Sequence, residues 1–402
     1  MRILCTADVH IGRSSTCDGE IDCETSALAA WERIVDKAIE GKAEAVVIAG
    51  DLYDDLPAQY QTRPRVVRAF ERLRDKGIPA IAVAGNHDHH ALPEFCRAFD
   101  GLLKLCGPRA WEEVRVNGVR FVGRSFAAQY ENQSLLENFA LSDGGHAIGV
   151  VHADINATSR YAPTPVAHFA GRGVAAWVVG HVHLPCEWTD ATPVAYTGSP
   201  QALDWGEVGS HGYRWLTIEH GKAQFSPVQA ISTVRYQVEE IELDLGEDLQ
   251  GRLAEKAAAY GAAHDGTESI RFRVHVRLKK GATLPAALAD EPGMIAANGF
   301  AYCVRSVTNV PEVNLHLEAQ NSDARGQAAR LLLGLDGKGQ PEWRTAAQEL
   351  VRKIESQMQV ERTNLRLLDD EALDFLRTAA PDEAQFAVKK VLEDVLALQE
   401  AR

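Results

Sequence analysis

Five short motifs contain the residues of this chain that are best suited to chemistry. Each motif directly follows an apolar stretch, and any one of them alone is more often structural than catalytic. In this order and number they indicate a site for divalent metal ions, because carboxylate, amide and imidazole groups suit manganese, iron and zinc as ligands. The motifs are Asp8-Val9-His10, Gly50-Asp51-Leu52-Tyr53-Asp54, Gly85-Asn86-His87-Asp88, Val151-His152 and Gly180-His181-Val182-His183.

The spacing within the motifs fits a site shared by two ions. In an extended segment, residues two apart lie on the same side, so Asp8 can act with His10, and His181 with His183. Two divalent ions about 3.5–4 Å apart can supply a hydroxide near neutral pH and neutralise a phosphate. A carboxylate must bridge such ions, and Asp51 is the predicted bridge. The sequence therefore predicts a two-metal phosphodiesterase that favours manganese, iron or zinc over magnesium.

Short apolar runs that alternate with amphipathic stretches must position these motifs. Strands alternating with helices predict an α/β sheet, and such sheets hold their functional residues at the carboxyl ends of strands. The predicted helices are Ser26–Glu40 and Arg63–Lys76. The predicted strands are Arg2–Thr6, Ala45–Ala49, Ala80–Ala84, Arg120–Val122, Ala147–Val151 and Trp177–Val179.

The length of 402 residues predicts two or three domains. The pattern changes near residue 230, so we expect an α/β domain over residues 1–230, a small α+β cap over 231–312 and a helical region over 313–402. An apolar stripe near the end of the helical region serves either packing within the chain or docking of a partner. The stripe consists of Val388, Val391, Leu392, Val395 and Leu398.

Composition limits the cellular setting and the class of partner. The net charge of −14 argues against a generally basic nucleic-acid binder, but not against a local basic surface. Seven scattered cysteines without a CxxC pair indicate reduced thiols and a cytoplasmic location. The apolar stretch before Asp8 is too short for a signal peptide, and no run approaches the roughly 18 apolar residues that span a membrane. We therefore expect no membrane association.

The order of the five motifs resembles that of the calcineurin-like metallophosphoesterase superfamily. The segment Tyr196–Leu203, followed by Trp205-Gly206-Glu207 and Gly212-Tyr213, is similar to the segment after the last motif in SbcD-type DNA repair exonucleases. The resemblance covers residues 1 to about 220. It implies a four-layer αββα metallophosphoesterase sandwich with a small α+β cap domain and a helical C-terminal tail.

The resemblance also implies roles for single residues. His87 would contact the scissile phosphate and assist departure of the alcohol oxygen, and Asp88 would orient its imidazole. Asp54 stands where some of these nucleases have histidine, so no role of that histidine transfers to it. One metal ion would take Asp8, His10, Asp51 and His183, and the other Asp51, Asn86, His152 and His181.

The activity implied is that of a manganese-dependent DNA exonuclease and endonuclease, the SbcD-like subunit that works with an SbcC-type coiled-coil ATPase. Members of that family commonly form homodimers. A small-molecule phosphodiesterase acting on cyclic nucleotides or nucleotide diphosphates is the alternative enzyme, since the same cage serves those substrates. A non-catalytic scaffold is a third hypothesis, which the complete set of ligand residues disfavours.

Two basic stretches are candidates for contact with the nucleic-acid backbone. Five arginines between residues 63 and 74 form either an ordinary solvated helix face or a phosphate-binding surface. Residues 270–280 alternate apolar and cationic side chains, which a strand would separate onto two faces. That cationic face is either a solvated surface or a track for a backbone or partner. The predicted substrate contacts are Arg63, Arg65, Arg273 and Arg277.

Overall fold

The computed structural model describes residues 1–16, 23–107, 110–137, 139–141, 147–189, 192–263, 268–279, 282–284, 293–295 and 300–309, with residues 320 and 329. These residues fall into two units. The first comprises Met1–Glu239, Leu253–Arg273 and Glu291–Cys303; the second takes its described residues from Glu240–Arg252, Val274–Asp290 and Val304–Arg402. The domain boundaries at residues 230 and 312 stay predictions.

The first sheet has three parallel strands at its centre and apolar side chains on both faces. In β2, Val46 and Ile48 pack under the helices, whereas Val47 and Ala49 pack towards the second sheet. A strand covered on both sides is expected to be apolar throughout, as β2 is. The sheet runs β12-β11-β1-β2-β3-β4, and β13 pairs with β11. Its strands are β1 (Arg2–Thr6), β2 (Ala45–Ala49), β3 (Ala80–Val83), β4 (Lys104–Leu105), β11 (Gly212–Glu219), β12 (Lys222–Phe225) and β13 (Gln229–Ala230).

Three helices cover the outer face of the first sheet: α1 (Ala27–Glu40), α2 (Leu56–Asp75) and α3 (Ala91–Ala98). The prediction for α1 is confirmed, with Ser26 as its N-cap. Helix α2 begins seven residues earlier than predicted, because the Asp55 carboxylate caps it by accepting the N–H of Ala58 at 2.7 Å. Pro64, which favours a helix start, lies inside the helix instead.

The second sheet runs β5-β6-β7-β8-β10-β9, and β6, β7, β8 and β10 are parallel. Its alternate side chains, such as Phe121, Ile148 and Val178, form one buried cluster with those of the first sheet, so the two sheets pack face to face. Its strands are β5 (Glu112–Val116), β6 (Val119–Arg124), β7 (Ala147–His152), β8 (Val174–Gly180), β9 (Cys186–Trp188) and β10 (Val194–Tyr196).

The outer face of the second sheet is centred on Trp177, which is fully buried. Phe139 and Phe169 pack against its ring with centroid distances of 5.7 and 5.4 Å. Phe169 ends a short 3-10 helix, Val166–Phe169, and Phe139 lies in the segment between β6 and β7. Among the described residues this fourth layer therefore consists of loops and a 3-10 helix. The predicted α/β class is confirmed.

The remaining described elements are strands and one helix. The order of the four-stranded sheet is β14-β15-β17-β16. The predicted C-terminal helical tail, with its apolar stripe, lies outside the described residues. No helix in the part of the chain that the structure describes is long and apolar enough to cross a membrane. These elements are β14 (Val234–Leu243), α4 (Leu249–Ala263), β15 (Ser269–Leu278), β16 (Gly293–Ile295) and β17 (Phe300–Asn309).

Candidate metal centre

The five motifs meet at the carboxyl ends of β1, β2 and β3 in the first sheet and of β7 and β8 in the second. Four of their non-glycine residues have positive φ: Asp8 (50°), His10 (52°), Asp51 (51°) and His181 (110°). This conformation is uncommon outside glycine, and such strain gathers at functional sites when the surroundings enforce it. Here the N–H groups of Asp8 and His10 donate to the carbonyls of Gly50 and Asp51 at 3.1 and 3.0 Å.

Gly85 lets two of the motif loops approach each other closely. A Cβ atom at this position would lie 2.3 Å from Asp51 Oδ1 and 2.8 Å from His152 Cε1. Any side chain would therefore displace the carboxylate that is predicted to bridge two ions. The glycine in this motif serves close packing rather than a left-handed turn, since its φ is not positive.

All seven predicted metal ligands come together. The Asn86 Oδ1 atom lies 3.0 Å from His152 Nε2 and 3.3 Å from His181 Nδ1. Asp51 Oδ2 lies 3.4 Å from His152 Nε2 and 3.8 Å from His10 Nε2. The predicted ligands that can be grouped within 4.8 Å include Asp8 with His10 and His183, and Asp8 with Asp51 and His152.

His10 and His183 point their Nε2 atoms at each other across 3.0 Å. The Nδ1 atom of His10 lies 3.0 Å from Asp54 Oδ1, and that of His183 lies 2.6 Å from Glu207 Oε1. Each carboxylate accepts an N–H from Nδ1, which leaves a lone pair on Nε2. Two facing lone pairs require a positive charge against them, either a proton or a metal ion. The pair therefore fits a cation site.

His152 and His181 are held in the same manner on the other side of Asp51. The backbone carbonyl of Ala49 accepts from His152 Nδ1 at 3.0 Å, so Nε2 presents its lone pair to Asn86 and Asp51. In His181 the roles of the nitrogens are exchanged: Nε2 lies 3.5 Å from Asp154 Oδ2, and Nδ1 faces Asn86. Each of the four histidines thus has an acceptor that fixes which nitrogen can bind a metal.

Burial and neighbouring charges shift the pKa values of these groups in different directions, so only some of them have the protonation state that metal binding requires. Burial lowers the pKa of His152 to about 4, so this ring is neutral at pH 7. Burial alone would raise the pKa of Asp51, but the charges of His152 and His10 hold it below its ordinary value. Burial raises the pKa of Asp8 to about 7. Although burial opposes it, the Glu207 hydrogen bond raises the pKa of His183 to about 9.

These donors suit two divalent ions with Asp51 between them. Oxygen and imidazole donors together match manganese, iron or zinc. The grouping of Asp8, His10 and His183 agrees with one predicted ligand set. The contacts of Asn86 with His152 and His181 agree with the other. The residues present therefore fit the implied pair of ions, and the assignment of each ligand to one ion stays a prediction.

His87 lies at the exposed rim of this centre, with 43% of its side chain accessible. Its Nδ1 atom lies 3.1 Å from the Asp54 carbonyl oxygen and 3.5 Å from Asp54 Oδ1. The prediction that Asp88 orients this imidazole is wrong, because both oxygens of Asp88 face backbone N–H groups of the motif loops. Its Oδ1 accepts from Gly85 at 2.8 Å, and its Oδ2 from Leu52 at 2.8 Å. Asp88 braces the loops, and Asp54 orients His87.

Three carboxylates that orient ligands had no assigned role in the sequence. Asp54 ends the second motif, and Glu207 lies in the segment that resembles SbcD-type nucleases. The sequence therefore offered a signal for both residues. Asp154 had no such signal, although it follows His152 by only two residues. Burial alone would raise the pKa of Asp54. A hydrogen bond from His10 and the charges of His87 and Arg13 outweigh burial and hold this pKa below its ordinary value.

The predicted substrate contacts do not lie among the ligands. Arg63 and Arg65 belong to α2, and Arg65 pairs with Glu32 of α1 through two hydrogen bonds of 2.9 and 2.5 Å. Arg273 and Arg277 lie on β15, where both are less buried than Phe272, Val274 and Val276. The predicted separation onto two faces does not extend to Arg271, which is buried like its apolar neighbours. Arg277 lies 3.2 Å from Glu240. Their role as substrate contacts stays a prediction.

Comparison with known proteins identifies a family for the part of the chain that contains these motifs. Residues 1–185 match the model of the family described as calcineurin-like phosphoesterase. The chain is 25% identical over 216 residues to the uncharacterized metallophosphoesterase YhaO of Bacillus subtilis, covering 50% of this chain and 52% of that protein. It is 28% identical over 263 residues to the DNA double-strand break repair protein Mre11 of Haloferax volcanii, covering 60% and 59%. For Mre11 of Aeropyrum pernix the identity is 24% over 270 residues, covering 61% and 64%.

The matched part of the chain thus spans about half of the first relative and less than two thirds of the other two. The superfamily predicted from the order of the motifs is confirmed for residues 1–185, which include the seven predicted ligands.

Proposed function

From the membership of residues 1–185 in the calcineurin-like metallophosphoesterase superfamily, we propose that this chain is a two-metal phosphodiesterase that cleaves DNA. Manganese is the proposed ion. The proposed activity is that of an exonuclease and endonuclease resembling the SbcD subunit, with an SbcC-type ATPase as partner and a homodimer as the assembly.

The arrangement of the four cage histidines carries the proposal. Each ring has one nitrogen directed at Asp51, Asn86 or a second histidine, while an acceptor holds the other nitrogen. A structural histidine needs no such pairing, and four together around Asp51 are arranged for metal binding. Asp51 itself receives the backbone N–H of His87 at 2.9 Å, which fixes its carboxylate.

Two bound divalent ions would supply a nucleophilic hydroxide and neutralise the charge that develops on the phosphate. The protein itself holds the reacting groups in place. His87 is bound to Asp54 through Nδ1, so Nε2 is the nitrogen left for a substrate. With Nδ1–H donated to the Asp54 carbonyl, Nε2 carries a proton only in the imidazolium form of His87. From the rim of the cage, that form can donate the Nε2 proton to the departing alcohol oxygen. Asp88 keeps the loop of His87 in position through its hydrogen bonds to backbone N–H groups.

DNA as the substrate is supported by two observations outside the cage. Two of the similar proteins are named DNA double-strand break repair proteins. In addition, the segment that resembles SbcD-type nucleases supplies Glu207, which orients the ligand His183. The nuclease-like segment therefore takes part in building the centre, and substrate contacts by Arg63, Arg65, Arg273 and Arg277 belong to the same proposal.

The test is cleavage of end-labelled single-stranded and duplex DNA with Mn²⁺, compared with hydrolysis of a cyclic nucleotide. We expect cleavage of DNA. In the His87→Gln variant we expect both metal ions to be retained and the cleavage rate to fall by about 10²–10⁴-fold, the usual contribution of a general acid. His168→Gln, an exposed histidine on the 3-10 helix, is the matched control and should cleave as the parent does.

Activity confined to the cyclic nucleotide would overturn the nuclease proposal in favour of a small-molecule phosphodiesterase. Fewer than two bound manganese ions per chain, measured on protein purified with manganese, would favour a non-catalytic scaffold. A parental rate in His87→Gln would remove the role assigned to that residue. Copurification from the native host, with nuclease assays with and without ATP, tests the ATPase partner, and light scattering tests the dimer.

A further inference from the structure

Several cationic side chains of the two basic stretches form ion pairs with carboxylates. Arg65 forms two hydrogen bonds with Glu32, and Arg72 forms an ion pair with Asp36. On β15, Arg277 lies 3.2 Å from one carboxylate oxygen and 3.6 Å from a second. A cation adds most to the affinity for a phosphate when no carboxylate competes for it. Its charge can then replace counterions of the nucleic acid, and the release of those counterions favours binding.

Arg160 is an exposed arginine connected to the metal centre through two aromatic rings. Its guanidinium lies over the ring of Tyr130, 4.2 Å from the centroid. Tyr130 contacts Tyr161 at 5.6 Å, and Tyr161 contacts the ligand His181 at 4.9 Å. No carboxylate lies within 4 Å of the guanidinium among the residues that the structure describes. The nearby Glu131 carboxylate accepts the N–H of Ala127 at 3.1 Å instead.

The backbone holds Arg160 firmly in this place. The segments after β6 and after β7 are joined by hydrogen bonds from Glu131 N–H to the Arg160 carbonyl at 3.1 Å and from Ala162 N–H to the Glu131 carbonyl at 2.6 Å. The ring of Tyr130 then restricts the side chain. A guanidinium fixed by an aromatic ring loses little conformational freedom when it binds a phosphate.

Arg13 lies on the other side of the cage, in the loop that follows His10. Its N–H donates to the His10 carbonyl at 3.0 Å, and its carbonyl accepts the N–H of Ala27 at 2.9 Å. The Arg13 charge acts on Asp54, yet the described residues place no carboxylate within 4 Å of its guanidinium. Asp54 Oδ1 lies against His10 instead. Arg13 is therefore a cation beside the first-sheet ligands, as Arg160 is beside the second-sheet ligand His181.

We propose that Arg13 and Arg160 contact the phosphate backbone of the nucleic-acid strand on either side of the scissile bond. This inference rests on the proposed nuclease function and names the residues that hold its substrate. Each guanidinium can bind one phosphate with two parallel hydrogen bonds. Neither contact reads the base, so the affinity gained is the same for every sequence.

The test measures how DNA affinity depends on salt. A labelled single-stranded oligonucleotide is titrated at several salt concentrations with Mn²⁺, on the His87→Gln background so that the strand stays intact. Each of Arg13→Ala and Arg160→Ala should reduce the slope of log affinity against log salt by about 0.7, the value for one phosphate contact on a single strand. Arg160→Lys keeps the charge and should retain the parental slope.

Arg115→Ala is the matched control. Arg115 is an exposed arginine on β5, which runs antiparallel to β6, so it lies at the end of the second sheet away from the cage. Slopes in Arg13→Ala and Arg160→Ala equal to that of Arg115→Ala would overturn the inference. So would a slope in Arg160→Lys as low as in Arg160→Ala, because the loss would then not follow the charge.

A second measurement separates substrate binding from damage to the cage. With Mn²⁺ and His87 restored, the Arg160→Ala protein should hydrolyse bis(p-nitrophenyl) phosphate within about twofold of the parent, since this small diester does not extend beyond the scissile phosphate. A larger loss would overturn the inference. If the parent cleaves DNA and the slopes do not change, only this inference fails; if the parent does not bind DNA, the proposed nuclease function fails with it.

Discussion

Replacing Glu207 by glutamine should weaken one metal site and leave the other intact. Glu207 Oε1 accepts from His183 Nδ1 at 2.6 Å, and Oε2 accepts the N–H of Leu203 at 2.8 Å. Both oxygens are thus acceptors for buried donors. Glutamine offers one acceptor and one NH₂ group, so one of the two donors must lose its partner.

Each orientation of the new amide has a definite cost. If the NH₂ group faces His183, the imidazole must accept through Nδ1 and carry its proton on Nε2, which then cannot bind a metal. If the NH₂ group faces Leu203 instead, a buried N–H is left without an acceptor, at about 1–3 kcal/mol of folding free energy. Loss of such an orienting partner typically lowers metal affinity by about 10–100-fold, equivalent to about 1.4–2.8 kcal/mol.

The assay is a calorimetric Mn²⁺ titration of metal-free protein, in which the two sites are resolved. We expect the site that contains His183 to weaken and the site that contains His181 to stay at parental affinity in Glu207→Gln. Asp154→Asn should give the reverse, because Asp154 lies against His181. Asp204→Asn is the control, since its carboxylate accepts the N–H of Gly206 in its own loop. Equal weakening of both sites in Glu207→Gln, or none, would refute the reasoning.

Two further predictions concern the same centre. Gly85→Ala places a Cβ atom 2.3 Å from Asp51 Oδ1, so bound manganese should fall below two ions per chain. The control is Gly261→Ala, where the added atom meets nothing within 4 Å, and this variant should bind both ions. Two bound ions in Gly85→Ala would contradict the geometry. His183, with a pKa of about 9 in the metal-free protein, must lose its proton before Nε2 can bind an ion, so Mn²⁺ affinity should rise with pH up to about 9. Calorimetry at pH 7 in buffers of different ionisation enthalpy should show protons released on binding, and their absence would contradict the protonation of this ring.

Two predictions differ from the structure: the start of α2 and the role of Asp88. The predicted helix begins at Arg63, whereas α2 begins at Leu56, where Asp55 caps it, and Pro64 lies inside the helix. Asp88 was assigned to its neighbour His87, but its oxygens face the N–H groups of Leu52 and Gly85. For Asp88, the partner that decides its role lies 36 positions away in sequence, at Leu52.

The orienting carboxylates show the same limit. Glu207 acts on His183 across 24 positions, and Asp54 acts on His10 across 44. No local pattern specifies such pairs, because the sequence fixes neither the spacing of two strand ends nor the direction of a loop between them. The structure shows the spacing of the strand ends and the direction of the loops. It also identifies which nitrogen of each of the four cage histidines can bind a metal ion.

The sequence by itself determined which residues are the predicted metal ligands and which apolar strands precede them. Metal chemistry restricts the side chains to few types, and buried strands require apolar runs, so both leave local signals in the order Asp8, Asp51, Asn86, His152, His181. Only the tertiary structure decided how the groups act. The tautomer of His183 and the brace formed by Asp88 depend on distances between segments far apart in the chain, and packing of the two sheets sets those distances. The same holds for the absence, among the residues that the structure describes, of a carboxylate within 4 Å of Arg13 and Arg160.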